Sequence, residues 1–186
     1  MGPRLAVVGV DGGSWNVLKP LVDEERLPFL RRLVAEGVSA RLRSTIPPIT
    51  GAAWLSMATG LSPGKTGVID FFKLSDGFRL MPVSSDDYRG RSVWDYLSLV
   101  GFSVAVLDYP MLYPAYPVNG VILSSWGGRV SAYPPKLLDE MEELVGSYDI
   151  FVDYHLKRYD DVDLFLDDLE KAVSKKLRAS RYIMKR

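Results

Sequence analysis

Cysteine is absent from this sequence of 186 residues, and histidine occurs once, as His155. Without cysteine the chain has no disulfide and no thiolate metal ligand, a composition that is compatible with the cytoplasm. Long apolar runs are missing too. No run reaches the length of a membrane span, and the run at residues 5–10 is too short for the core of a signal peptide. We therefore expect a cytoplasmic protein.

The sequence also lacks an excess of charge of either sign. Lysine and arginine together number 23, aspartate and glutamate also number 23, and the formal net charge is zero. This balance indicates neither nucleic acid nor an anionic membrane as a partner. Apolar residues, by contrast, make up 47% of the chain. With a length near that of one domain, they predict a single domain over residues 1–186 with a sizeable core.

Hydrophobic patterns and turn residues predict alternating strands and helices. The run at residues 5–10 is continuous and β-branched, which is typical of a strand buried on both faces of a parallel sheet. Further strands are predicted at 38–43, 102–107 and 121–125, a strand or edge segment at 149–154, and helices at 28–36, 51–59, 92–101 and 134–145. Residues 71–91 predict an irregular excursion, and Ser92-Val93-Trp94-Asp95 predicts a capping box at the start of the helix that follows. The expected fold class is α/β, with a mainly parallel sheet covered by helices on both faces.

The segment 160–186 predicts one long amphipathic helix. Its apolar residues recur at steps of three and four: Val162, Phe165, Leu166, Leu169, Val173 and Leu177. Acidic residues lie before position 171 and basic residues from it onward, an order that complements the helix dipole. A basic end of this kind can bind nucleic acid or phospholipid, but the acidic turn just before it favours a solvated helix end.

An aspartate directly follows the first predicted strand. Asp11 is expected at the carboxyl end of this strand, the edge where open α/β sheets bind ligands, and is therefore a candidate metal ligand. The alternative is a turn aspartate, because Asp-Gly-Gly favours turns. A dinucleotide-binding turn is disfavoured, since a carboxylate at position 11 would repel a pyrophosphate. Asp108 follows the predicted strand 102–107 in the same way. It is interpreted either as an acid that supports the site or as the start of a turn.

Thr50 stands between a rigid Pro-Pro pair and a run of helix formers. A residue before proline is pushed out of the helical region, so Thr50 is the first residue able to cap a helix here. One interpretation is a simple N-cap, worth about 1 kcal/mol. The other is a nucleophile, because the N–H groups and dipole of a helix start favour an alkoxide or a bound phosphate. No side chain within residues 44–72 could act as its base, which leaves a metal ion as the candidate activator.

Two stretches resemble a known family. GVDGGS contains Asp11, and TIPPITGAAWLSMATGLSPGKTGVIDFF contains Thr50. Both are similar to motifs of the alkaline phosphatase superfamily, closest to its type I phosphodiesterase/nucleotide pyrophosphatase branch and the predicted phosphohydrolase/phosphomutase relatives. Residues 92–99, 104–109 and 113–121 resemble stretches that follow in those relatives. The resemblance covers most of the first 125 residues and implies an alkaline phosphatase-like core.

The resemblance implies a metal-dependent phosphohydrolase or phosphodiesterase. Asp11 occupies the place of the family's first-strand metal ligand, and Thr50 occupies that of the nucleophile, which also binds metal. Two divalent ions, zinc or manganese, are implied as cofactors. A small phosphate mono- or diester is implied as the substrate, with a phosphothreonine intermediate. Thr66 stands where the family usually has a histidine that is not a metal ligand.

The family's remaining metal ligands are not found in this sequence. They comprise a later Asp and His pair, an Asp-His dipeptide and a further His. His155 fits none of these patterns, and we interpret it as a surface or boundary residue. Because a catalytic zinc usually takes three protein ligands, we expect this chain to be the front part of a longer enzyme. It would carry the nucleophile half of the site. We expect it to associate with itself or with a C-terminal half. The alternative is a catalytically incomplete core that acts as a binding or assembly domain.

Overall fold

The computed structural model describes residues 5–75, 77–152 and 161–185. Backbone contacts divide the chain into two compact units, Met1–Ser44 and Thr45–Arg186. His155 and the end of the predicted segment 149–154 lie outside the described residues, and residues 149–152 form no strand. Within the described part of the chain, no helix combines the length and the apolar character that a membrane crossing requires. A single domain over residues 1–186 stays a prediction.

Two helices form the regular structure in the described part of the first unit. They are α1 (Trp15–Asp23) and α2 (Pro28–Glu36). Ser14 caps α1, since its hydroxyl oxygen accepts a hydrogen bond from the N–H of Asn16 at 3.2 Å. The predicted bounds of α2 are confirmed, because proline suits the first position of a helix, where its missing N–H removes no helical bond.

The predicted strands at residues 5–10 and 38–43 are not strands in the structure. Their apolar side chains are exposed, with Leu5 at 88% and Val38 at 99%. An apolar run forms a strand only where a neighbouring strand satisfies its backbone N–H and C=O groups. The described residues of the first unit contain no such neighbour. The prediction was wrong because a hydrophobic pattern records a tendency towards burial and not the partner that provides it.

The second unit alternates helices and short strands. Its helices are α3 (Thr50–Thr59), α4 (Pro63–Thr66), α5 (Val93–Leu99), α6 (Lys136–Val145) and α7 (Val162–Lys185). Its strands are β1 (Phe72–Leu74), β2 (Leu80–Pro82), β3 (Val104–Leu107), β4 (Gly120–Ser124) and β5 (Ser131–Tyr133). Single 3-10 turns lie at Ser85–Asp87 and Trp126–Gly128.

The larger sheet has the strand order β3-β4-β5. Strands β3 and β4 run parallel, with Val104 opposite Gly120, whereas β4 and β5 run antiparallel. The α/β content agrees with the prediction. A mainly parallel sheet is not confirmed, because β3 with β4 is the one parallel pair among the described residues. Strands β1 and β2 form a separate antiparallel hairpin, so the prediction of an irregular segment at 71–91 was wrong in part.

Two hydrophobic clusters enclose β4. Ile122 is fully buried in a cluster that includes Leu55 of α3. Its neighbour Leu123 is fully buried in a second cluster, with Leu137 of α6 and Ile183 of α7. Successive side chains of a strand point to opposite faces of the sheet. Helices therefore pack on both sides of β4.

Helix α5 begins with the predicted capping box. The carboxylate of Asp95 accepts the N–H of Ser92 at 2.9 Å, and the hydroxyl oxygen of Ser92 accepts the N–H of Asp95 at 3.3 Å. These reciprocal bonds satisfy two N–H groups that have no acceptor within the helix. The prediction from the sequence Ser-Val-Trp-Asp is confirmed, and the box fixes the start of the helix that carries Trp94.

Candidate active site

Thr50 is the first residue of α3 and not its N-cap. Ile49 occupies the N-cap position, with an extended backbone (φ −107°, ψ 143°), and its carbonyl accepts the N–H of Ala53 at 2.9 Å. The predicted cap was wrong by one residue. A helix begins where the first backbone carbonyl accepts a bond, and Ile49 supplies that carbonyl without a capping side chain. The Thr50 hydroxyl therefore does not serve as the N-cap.

The first turn of α3 has backbone N–H donors beside Thr50, in two residues that are buried. The N–H groups of Gly51 and Ala52 precede the first intrahelical hydrogen bond, so no carbonyl of the helix accepts from them. They lie at the positive end of the helix dipole, next to the half-buried Thr50. A phosphate oxygen is an acceptor that such a helix start can bind.

Gly51 brings the loop around Asp70 close to the start of α3. A Cβ atom at position 51 would lie 2.8 Å from the carbonyl oxygen of Asp70 and 3.1 Å from the backbone nitrogen of Phe71. Only glycine leaves room for this approach. The carboxylate of Asp70 accepts the N–H of Phe71 at 2.6 Å. Sequence reasoning missed Asp70, and the available signal was a glycine in the first turn of a helix, where it is otherwise unfavourable.

A cluster of aromatic rings supports α3. Trp54 stands edge-on to Tyr109 with ring centroids 5.1 Å apart, and Tyr109 contacts Trp94 at 4.8 Å. The Tyr109 hydroxyl donates to the carbonyl of Trp54, and the indole N–H of Trp94 donates to the Tyr116 hydroxyl at 2.7 Å. Burial raises the pKa of Tyr109 well above its usual value and that of Tyr116 to about 12. Both hydroxyls therefore remain protonated at neutral pH, and the cluster fixes the helix that carries Thr50.

The segment after α3 is held by its own backbone and hydroxyl groups. Gly60 ends α3 in the left-handed conformation (φ 68°), which glycine adopts without strain. The Thr66 hydroxyl donates to the carbonyl of Pro63 and accepts the N–H of Val68, both at 3.2 Å. Thr66 stands where the family that the motifs resemble usually has a histidine. Its two hydrogen bonds stabilise the turn after α4.

Asp11 lies in a turn of the first unit. Gly12 adopts a left-handed conformation (φ 65°), and the N–H of Gly13 donates to the carbonyl of Val10 at 3.2 Å. The turn predicted from Asp-Gly-Gly is confirmed, and the Asp11 side chain is exposed. Its role as a metal ligand stays a prediction. Because Asp11 belongs to the first unit and Thr50 to the second, their convergence on one cation also stays a prediction.

Asp108 directly follows β3 and has a positive φ of 47°, which is uncommon for a residue other than glycine. Its carboxylate is 7% exposed and lies 3.6 Å from the ammonium of Lys176. It accepts hydrogen bonds from the hydroxyls of Ser125 (3.1 Å) and Tyr148 (2.7 Å). Burial raises the pKa of Tyr148, and the negative charge of Asp108 raises it further. Sequence reasoning proposed Asp108 as a turn or supporting acid but missed these partners, which are distant in sequence.

The described residues contain no group of three His, Asp or Glu side chains that could hold a metal ion. A catalytic zinc usually takes three protein ligands. The predicted ligands of this chain are the Asp11 carboxylate and the Thr50 hydroxyl, and His155 lies outside the described residues. This donor set does not by itself fit a complete catalytic metal site.

A family model matches nearly the whole chain. The model described as type I phosphodiesterase / nucleotide pyrophosphatase matches residues 5–183, a range that includes both Asp11 and Thr50. The resemblance inferred from the two motifs is confirmed by this match. No curated protein and no solved structure matches the chain.

Proposed function

The chain belongs to the type I phosphodiesterase/nucleotide pyrophosphatase family, and on this premise we propose that Thr50 is the nucleophile of a phosphoryl-transfer reaction. The family indicates phosphodiesterase or pyrophosphatase activity, and hence phosphate esters or nucleotides as substrates. The observation that carries the proposal is the position of Thr50. It is the first residue of α3 and adjoins the N–H groups of Gly51 and Ala52.

In the proposed reaction, the Thr50 oxygen attacks the phosphorus in line with the leaving group. A bond forms between the Thr50 oxygen and phosphorus, the bond to the ester oxygen breaks, and the leaving oxygen takes up the proton that Thr50 loses. Water then attacks the phosphothreonine, which releases the phosphate product and restores the hydroxyl. The N–H groups of Gly51 and Ala52 would stabilise negative charge on a phosphate oxygen in both steps.

Members of this family are generally metal-dependent. Divalent ions, zinc or manganese in our proposal, would lower the pKa of the nucleophile and neutralise phosphate charge. Asp11 and Thr50 would each contribute one oxygen to such ions. The remaining ligands would come from outside the described residues, in which no group of three His, Asp or Glu side chains could hold a metal ion.

The test compares Thr50→Ala with wild type in hydrolysis of p-nitrophenyl phosphate and its diester, with added zinc or manganese. We expect Thr50→Ala to lose turnover and keep its thermal midpoint, and Thr50→Ser to retain part of the activity. Ser56→Ala is the matched control, because Ser56 is a hydroxyl residue of the same helix whose buried oxygen has no partner among the described residues. Equal activity of Thr50→Ala and wild type would remove Thr50 from the mechanism.

A second candidate function is a catalytically incomplete core that serves as a binding domain or as one subunit of a split enzyme. The observation that favours it is the lack of a three-ligand metal group in the described residues. Metal analysis of the purified chain separates the two candidates. Tightly held metal near one or two equivalents supports a working site, whereas metal-free protein without hydrolytic activity supports the incomplete core.

A further inference from the structure

Helix α7 has two faces of different character. One face is buried where α7 packs in the second unit. Its buried apolar residues are Ala172, Ala179 and Ile183. A neighbouring face of the helix carries six large apolar side chains, each 40 to 65% exposed: Val162, Leu166, Leu169, Val173, Leu177 and Met184. We call these six residues the apolar stripe. An amphipathic helix ordinarily buries such a row, so the stripe needs a partner.

We propose that the apolar stripe binds the same stripe of a second copy of the chain, in an antiparallel homodimer. The stripe is symmetric about Val173, with Leu169 and Leu177 at equal distances along the sequence before and after it. Val162 and Met184 are also equally far from Val173. A two-fold axis at Val173 therefore places each apolar residue of these pairs opposite an apolar residue of the partner.

One position departs from this symmetry. Leu166 corresponds to Ser180 and not to a large apolar residue. The Ser180 hydroxyl already donates to the carbonyl of Lys176 at 2.8 Å, so its hydrogen-bonding need is met within the helix. A small side chain with a satisfied hydroxyl leaves room for Leu166 of the facing helix without leaving a buried donor unpaired.

Charges along one edge of the stripe favour the antiparallel direction. With 3.6 residues per turn, three acids in the first half of α7 and three bases in its second half fall on the same edge. All six are exposed: Asp163, Asp167, Glu170, Arg178, Arg181 and Lys185. In an antiparallel pair the two-fold axis brings this edge of both copies together, so the acidic half of one lies beside the basic half of the other, whereas a parallel pair places the two edges on opposite sides of the interface. Complementary charge therefore points to a second copy as the partner.

The first test is the mass of the full chain in solution, by sedimentation equilibrium over a range of concentrations. We expect a dimer for the wild type and a monomer for Leu169→Glu, which places two charges in the interface. Leu164→Glu is the matched control, because Leu164 is on the same helix, is 53% exposed and lies off the stripe. It should remain dimeric. A wild type that stays monomeric at all concentrations, or equal effects of both variants, would overturn the proposal.

The second test is the direction of the helices, by disulfide cross-linking. The chain has no cysteine of its own, so single substitutions report one position each. Val173→Cys lies on the proposed axis and should form a disulfide-linked dimer on oxidation. Val162→Cys should not link to itself but should link to Met184→Cys in a mixture of the two. Self-linking of Val162→Cys would show a parallel pair and contradict the proposal, as would a dimer in which Val173→Cys fails to link.

Discussion

The placement of Thr50 depends on its neighbour Gly51. Position 51 has no space for a Cβ atom, which would meet the Asp70 carbonyl oxygen at 2.8 Å. Contacts this short are resolved only by moving the backbone, since neither partner is a flexible side chain. The first turn of α3 and the loop at Asp70 therefore share one fixed arrangement, and a change at Gly51 would move the Thr50 hydroxyl.

We predict that Gly51→Ala lowers the free energy of unfolding by about 1 to 3 kcal/mol through overpacking. Hydrolytic activity should fall as well, because the displaced helix start carries Thr50. The matched control is Gly64→Ala in α4, where an added Cβ meets nothing within 4 Å. That change should be neutral or stabilise by about 0.5 to 1 kcal/mol. Urea unfolding and p-nitrophenyl phosphate hydrolysis measure both effects, and a Gly51→Ala protein that matches wild type would contradict the argument.

For single residues, the sequence identifies candidate site residues better than it predicts the contacts that they make. The Pro-Pro pair and the helix formers that follow locate Thr50 at a helix start, although Ile49 and not Thr50 is the cap. Asp108 is recognisable as the residue that directly follows a strand. Its contact with Tyr148 is not, because that pairing depends on how distant segments pack and leaves no local pattern.

Among the elements, helices were predicted more accurately than strands. The start of α5 follows from a capping box within four residues, so its signal is local. A strand, by contrast, requires a partner supplied by another segment. The run at 5–10 has the composition of a buried strand and residues 38–43 alternate as a strand does, but neither has a paired neighbour among the described residues of their unit. The three-residue strands of the β1–β2 hairpin are too short to produce a clear alternation.

The contacts of Asp108 join the end of β3 to α7 and to Tyr148, and they predict a dependence of stability on pH. Burial raises the pKa of Tyr148 in the folded chain above its usual value of 10.0. The unfolded chain therefore loses this proton at a lower pH than the folded chain does. The resulting stabilisation is present below about pH 10 and is lost as the pH rises further, by about 1.4 kcal/mol per pH unit for one such group.

We accordingly predict that Tyr148→Phe loses less stability than wild type between about pH 9.5 and pH 11, because it lacks the titrating hydroxyl. At neutral pH the variant should be less stable, since the Asp108 carboxylate loses a hydrogen bond. Tyr96→Phe serves as the control, because Tyr96 is 57% exposed. Urea midpoints measured across this pH range give the slopes. If the Tyr148→Phe and wild-type slopes were the same, the hydroxyl of Tyr148 would not be buried as described.

For the whole molecule, the sequence predicted the family. It predicted the residues of the site only in part. Two short motifs identify the family because each needs particular residues at fixed spacing around Asp11 and Thr50, and the family match over residues 5–183 agrees with them. The sheet was predicted less well, since parallel pairing depends on segments far apart in the chain. Whether Asp11 and Thr50 share a cation is a question of tertiary arrangement, which the spacing of two motifs does not determine.

The central claim is that the Thr50 oxygen forms a bond to phosphorus during turnover. The most direct measurement is acid quenching of the chain during hydrolysis of p-nitrophenyl phosphate with added manganese or zinc, followed by peptide mass spectrometry. We expect one phosphoryl group on the peptide that contains residues 44–59, located on Thr50 and absent from Thr50→Ala. Turnover without phosphothreonine, or a phosphoryl group on another residue, would contradict it.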